Sequence, residues 1–306
     1  MNRGILLISI GNDAYARWCH NMAVSVRAVS PNVPIHVLTD GNFPSEPFHA
    51  NVVDKVIKMD LNDCYLDGKL YPAKAKLSMY KYSEFDETIY LDIDGVVIKD
   101  IMPLFDECEA LGLYFQIQVN GVSTKDHDNL DASLWAKPEQ IFKKYKLKED
   151  AILPGTNSSF QYFKKGKEAE TLYNKALKNL ANPIPIRELR YQWGHSGTQP
   201  DELYMNIALA QVGLLPNIKP VLYLRRRGFG SGHNDLSTIQ NGFYVIGCWG
   251  DATYNHHEIS GTGDVKSGLY NKVCIDAYRK VYGESVRFSD AFHKLIKFKV
   301  YALKIK

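Results

Sequence analysis

Cysteine is scarce in this chain: 306 residues hold only Cys19, Cys64, Cys108, Cys248 and Cys274. Their number is odd, they lie far apart, and no two form a C-x-x-C pair. This speaks against a disulfide framework and a cysteine zinc site, and fits a reducing cytoplasm. Long apolar runs are missing too. Ile5 to Ile10 is too short for a signal-peptide core or a membrane span. No charge of one sign dominates: 37 Lys and Arg against 34 Asp and Glu leave +3, too little to imply nucleic-acid binding. No internal repeat and no low-complexity segment is seen. What remains is a 45% hydrophobic chain, long enough for one large or two small domains with an ample core.

The apolar pattern alternates between strand and helix. "GILLISI" (4–10) is the continuous run of a strand buried on both faces. Asn12 or Asp13 then offers an N-cap, and Tyr15, Cys19, Met22 and Val26 share one helical face. Strands are expected at 34–40 and 51–60, a helix at 73–85, and another strand into "TIYLDIDGVV". This β-α-β-β-α-β order predicts an open α/β sheet with a crevice at the strand C-termini. Farther on come a strand at 158–166, a helix at 167–181, a helix starting at Pro200 and a strand at 243–249. Loops 119–137, 182–199 and 225–240 are long, polar and expected to shape an acceptor site. The domain is placed at 1–287, with a basic tail at 288–306.

"YLDIDGVV" (90–97) sets the chemical question. Along a strand, Asp92 and Asp94 would share one face. Carboxylates that close need a cation, or one must take up a proton. The string resembles the first motif of haloacid-dehalogenase-type phosphatases, which would make Asp92 a nucleophile and Asp94 its proton partner. That motif opens its fold, however, whereas three strands precede it here. No late G-D-x-x-x-D follows either, since "GDATYN" and "GDVKSG" both lack the second acid. A D-x-D at a strand end also suits a hard divalent cation held against a nucleotide pyrophosphate.

The neighbouring motifs favour the second reading. In order, they are "NDAYA" (12–16), "AKL" (75–77), "YLDIDGVVIKDIMPLF" (90–105), "TNSSF" (156–160) and "DELYMN" (201–206). Together they resemble glycosyltransferase family 8, the glycogenin-like and lipopolysaccharide galactosyltransferase-like enzymes, over residues 4–266. The resemblance implies a GT-A fold, a Rossmann-like mixed sheet flanked by helices. It also implies a metal-dependent, retaining transfer of a hexose, glucose or galactose, from a UDP-sugar. Ile10, Asn12 and Tyr15 would then meet the uridine, and Asp92 and Asp94 would hold Mn²⁺ or Mg²⁺. Lys76, Asn157 and Asp201 would be catalytic, with Ser158 and Glu202 on the donor. Two departures stand out: Ser159 replaces a glycine, and Glu202 replaces a glutamine. The closing H-x-x-G-x-x-K is only partly kept. Gly263 and Lys266 fit a phosphate contact, but Ser260 occupies the histidine position. His257, or else His256, is expected to return to the metal from a longer loop.

A glycan or a lipid-linked glycan is the expected acceptor. Phe292, Leu295, Ile296, Val300 and Leu303 share a helical face, and five lysines lie among residues 292–306 without an acid. That pattern predicts peripheral contact with an anionic membrane. Nucleic acid is not expected as a partner, although "RRRGFGSGH" (225–233) is basic. A sugar-nucleotide-binding protein without catalysis is the non-enzymatic alternative.

Overall fold

A computed structural model describes residues 1–43, 52–130, 133, 135–187, 199–216, 223–224, 244–247 and 265–283. The strands are β1 (Arg3–Ser9), β2 (Ile35–Thr39), β3 (Lys55–Lys58), β4 (Tyr65–Leu66), β5 (Lys69–Leu70), β6 (Glu87–Leu91), β7 (Gly95–Val97), β8 (Phe115–Ser123), β9 (Leu153–Lys164), β10 (Tyr223–Leu224) and β11 (Val245–Gly247). Six of them form the central sheet in the order β3-β2-β1-β6-β9-β8. The first four run parallel, while β9 is antiparallel to both β6 and β8. β10, β11 and β7 form a second, smaller sheet.

Alternation along the parallel strands creates two apolar layers. Leu6, Ile8 and Ile10 pack toward the helices Pro72–Tyr82, Lys167–Leu180 and Asp201–Val212. Ile5 and Leu7 face the helices Asp13–Val29, Met102–Ala110 and Val265–Tyr282. A sheet covered on both faces requires apolar residues at consecutive positions, which is why β1 reads as a nearly unbroken run. The chain turns from β1 toward β2 on one side, and β6 lies on the other. The C-terminal ends of β1 and β6 therefore flank a topological switch point, where α/β sheets open a crevice.

The structure refines several sequence expectations. Between β3 and the helix Pro72–Tyr82 lies a one-turn helix, Leu61–Cys64, followed by the β4–β5 hairpin, which apolar periodicity did not signal. β8 runs to Ser123, into a stretch expected as loop. β9 begins at Leu153 rather than 158, so Asn157 and Ser158 lie within a buried strand. The helix Val265–Tyr282 was not anticipated. It docks on the first helix, with Tyr278 donating to Asn21 Oδ1 at 3.0 Å. Cys19, Cys64, Cys108 and Cys274 are buried free thiols. The tail 288–306 lies outside the described residues, as do most of loops 182–199 and 225–240. No described helix is long and apolar enough to cross a membrane.

Gly4 in β1 sits under the Phe85 ring, where an added Cβ would meet ring carbons at 2.2–2.4 Å. Phe85 is itself buried and packed on His36, with ring centroids 4.2 Å apart, so it has little room to yield. Gly4→Ala is expected to destabilise the fold by roughly 1–3 kcal/mol through overpacking. Urea unfolding checks this; a parental midpoint would contradict it.

Candidate functional site

The Asp92 strand ends one residue earlier than alternation implied. β6 stops at Leu91, Asp92–Asp94 form a turn, and β7 starts at Gly95 in the other sheet. The two half-buried carboxylates thus flank the turn that joins two sheets, instead of lining one face of a single strand. The Asp92 N–H donates to the Ser159 carbonyl at 2.9 Å, which fixes the start of the turn to β9.

Lys76 lies at the centre of the site. It rises from the helix Pro72–Tyr82, and its Nζ is 2.7 Å from Asp92 Oδ1 and 3.4 Å from Ser158 Oγ. The Tyr90 hydroxyl donates to the same Asp92 oxygen at 2.5 Å. Asp201 and Glu202 open the helix Asp201–Val212 beside this group. Burial alone would lower the Lys76 pKa, but Asp201 and Asp92 outweigh it and hold it well above its ordinary value. Asp201 is pushed up by burial against the pull of Lys76 and the Ser158 hydroxyl. At a helix N-terminus the dipole would favour its ionised form, so desolvation is the stronger effect here. Its Oδ2 is buried with no hydrogen-bond partner. Burial, and then the charge of Asp201, push Glu202 up to about 7, with Lys76 opposing.

The end of β1 shapes the other side of the crevice. Gly11 has φ +100° and lies against Leu70, where a Cβ would meet Cδ2 at 2.6 Å. Its N–H donates to Asp40 Oδ2 at 3.1 Å, an oxygen that also takes the Tyr65 hydroxyl at 2.8 Å. The Asn12 amide oxygen caps the following helix through the Tyr15 N–H at 3.3 Å. Tyr15 is half-buried and meets Trp18 edge-on, with centroids 5.2 Å apart.

Of the sequence-derived residues, the structure joins Lys76, Asp92, Ser158, Asp201 and Glu202 in one cluster, with Asp94 in the adjoining turn. Others turn elsewhere. The Asn157 amide oxygen accepts from the Ser159 N–H at 2.9 Å within β9. Asn206 is buried and accepts from the Thr156 hydroxyl at 2.6 Å, pinning its helix to β9. The Ile10 side chain belongs to the core. His256, His257 and Gly263 lie outside the described residues. Lys266 falls in the first turn of the helix Val265–Tyr282, not in a glycine loop. Among the described residues, no three His, Cys, Asp or Glu side chains group as a metal site. Sequence reasoning missed two members of the cluster. Tyr90 was visible only as an apolar strand residue. Trp135, whose indole N–H reaches Glu202 Oε2 at 3.0 Å, was one aromatic in a polar loop.

No protein-family model matches the chain, and no curated protein resembles it significantly in sequence. Solved structures do resemble it in fold. The galactosyltransferase LgtC, solved with donor and acceptor sugar analogs, is 16% identical, with a TM-score of 0.53 over 88% of this chain and 95% of that one. An active-site glutamine-to-glutamate mutant of LgtC gives 16% identity and a TM-score of 0.50 over 88% and 94%. The bifunctional glycosyltransferase WbbM is 12% identical, with a TM-score of 0.52 over 92% of this chain and 52% of its own length. At these identities the likeness is one of fold: the chain has the mixed α/β architecture of GT-A glycosyltransferases.

Proposed function

We propose that this chain is a metal-dependent, retaining glycosyltransferase. It moves a hexose, glucose or galactose, from a UDP-sugar to a glycan or lipid-linked acceptor. The observation that carries this reading is the Lys76, Asp92, Ser158, Asp201 and Glu202 cluster at the sheet's switch point, with a buried Asp201 oxygen that has no hydrogen-bond partner. A buried acceptor without a donor is costly unless a ligand supplies one, and sugar hydroxyls are such donors. The phosphatase reading lacks this support, because no late G-D-x-x-x-D supplies its second acidic pair.

The donor set fits Mn²⁺ or Mg²⁺. Asp92 and Asp94 offer hard carboxylate oxygens within one turn, as such ions require. His257 or His256 would complete the protein's share, and nucleotide phosphates and water would supply the rest. When bound, the cation supplies positive charge against the pyrophosphate of the departing nucleotide. The chain's own residues do the remainder. Tyr15 and Asn12, with the backbone of Ile10 just past β1, form the uridine side. Lys266 contributes a positive charge at a helix N-terminus, a place that favours phosphate. Asn157 shapes β9 behind the sugar. Asp201 orients the hexose and faces the positive charge at its anomeric carbon as the bond to UDP breaks. The acceptor hydroxyl approaches the face that UDP leaves, which retains configuration. Buried free thiols support a reducing cytoplasm, and the lysine-rich segment 292–306 supports contact with an anionic membrane.

UDP-glucose and UDP-galactose, each with Mn²⁺ or with chelator, should separate this reading from a binding protein. Free UDP is expected from one donor with Mn²⁺ and not with chelator; no release from either would overturn it. Asp94→Asn is expected to cost at least ~3 kcal/mol of transition-state stabilisation, about 100-fold or more in rate, with an unchanged melting temperature. Parental activity at saturating Mn²⁺ would remove Asp94 from the metal. Tyr15→Ala should weaken UDP binding more than it slows turnover, because stacking acts on donor and transition state alike. Calorimetry giving the parental Kd would return Tyr15 to a packing role.

A further inference from the structure

Glu202 has an arrangement that an amide at its position could not exploit. Both carboxylate oxygens accept hydrogen bonds from rigid donors. Oε2 takes the Trp135 indole N–H at 3.0 Å, and Oε1 takes the Ser158 backbone N–H at 3.4 Å. Ser158 is fixed in buried β9. Trp135 is fixed from behind by Arg187. The Arg187 N–H donates to the Trp135 carbonyl at 2.8 Å. Its guanidinium meets Asp128 at 2.7 and 2.9 Å, Ser133 Oγ at 3.2 Å and the Ala136 carbonyl at 3.4 Å. This clamp orders the segment that presents the indole.

Two N–H donors on two oxygens form a seat for an ionised carboxylate, since hydrogen bonds to the charged form favour it. The surroundings oppose ionisation. Burial and Asp201 push Glu202 up to about 7, while Lys76, Trp135 and Ser158 pull it down. Lys76 also faces Tyr90 on β6 and Asp92 just past its end, and Asp201 acts in turn on Tyr173. Glu202 is thus poised between forms at neutral pH, and the indole is one of the groups that tip it.

We propose that Trp135 is a positioning residue that, with the Ser158 N–H, holds the Glu202 carboxylate beside Asp201 as a second anion facing the charge that develops on the transferred sugar. This rests on the glycosyltransferase reading. It adds that the ionised form of Glu202 is the working one, and that a tryptophan 67 residues away in sequence governs it. No bond to Glu202 forms; the carboxylate acts through its field.

The test uses the full chain, whichever of UDP-glucose and UDP-galactose it turns over, and Mn²⁺. The parent, Trp135→Phe, Glu202→Gln and the double variant are compared by kcat and KM from about pH 5.5 to 8.5, spanning the expected ionisation. In the parent, kcat should rise with pH through about 7. Glu202→Gln should remove that rise and lower kcat about 10- to 100-fold, with KM within about twofold. Trp135→Phe keeps a ring but loses the N–H, so the rise should move to higher pH. In the Glu202→Gln background it should change nothing further. An equal cost of Trp135→Phe in both backgrounds would make the indole a structural prop and overturn the proposal. So would a parental profile in Glu202→Gln. Carboxyl NMR of ¹³C-glutamate-labelled protein reads the seat without turnover. The resonance missing from Glu202→Gln should titrate higher in Trp135→Phe than in the parent, and an unchanged titration overturns the seat itself. A parent that releases no UDP from either donor would instead sink the transferase reading, and the sugar-facing role with it.

Discussion

One ammonium group holds the site together. Lys76 is the cation among Asp92, Asp201 and Glu202, and no carboxylate of the three would sit easily there without it. Its pairing with Asp92 spans the helix Pro72–Tyr82 and the end of β6, and its reach to Ser158 ties in β9. The pair is half-buried, so removing one partner would leave a poorly compensated charge. A neutral residue at 76 would let Asp201 and Glu202 rise further in pKa, since Lys76 holds both down. Among the described residues, Asp92, Asp94, Asp201 and Glu202 gather around the single ammonium of Lys76.

The sheet supplies the geometry for this chemistry. Strand order β3-β2-β1-β6 splits the crossovers at β1 and β6, so the chain ends at Gly11 and Asp92 face a shared opening. The antiparallel β9 then brings Ser158 in from the other side. The opposite end of the sheet is closed by Arg3, which meets Glu87 at 2.7 Å and Asp106 at 2.6 Å. It also meets Glu109 at 2.5 Å, so one guanidinium ties together β6 and the helix Met102–Ala110.

Much of this was legible in the sequence, and the gaps have physical reasons. β1 was readable because a sheet covered on both faces demands a run of consecutive apolar residues. The helix at Asp201 was readable from Pro200 and the apolar residues that follow. The break at Asp92–Asp94 was not, because "GVV" prolongs the apolar run while its hydrogen-bond partner changes from one sheet to another. The first half of β9 was hidden for the opposite reason. "LPGTNSS" looks like a turn, yet Asn206, Ser159 and Glu202 satisfy its polar groups in the interior. Trp135 could not be assigned from local sequence, because its partner is distant in the chain. The motif order named residues that the fold brings together, but it did not distinguish Asn206, bonded to Thr156, from Asp201, beside Lys76.

The small sheet has a consequence for the proposed role of His257. β11 pairs antiparallel with β7 so that Gly247 lies opposite Gly95, next in sequence to Asp94. The chain therefore departs from that strand right beside the two carboxylates, and His257 follows only ten residues later. A group on so short a tether has an effective concentration at its anchor on the order of millimolar. An imidazole supplied from solution would have to be that concentrated to compete. On the proposed reading, the strand pairing and not the motif's spacing would bring the histidine near, so one three residues out of place would still reach the same ion.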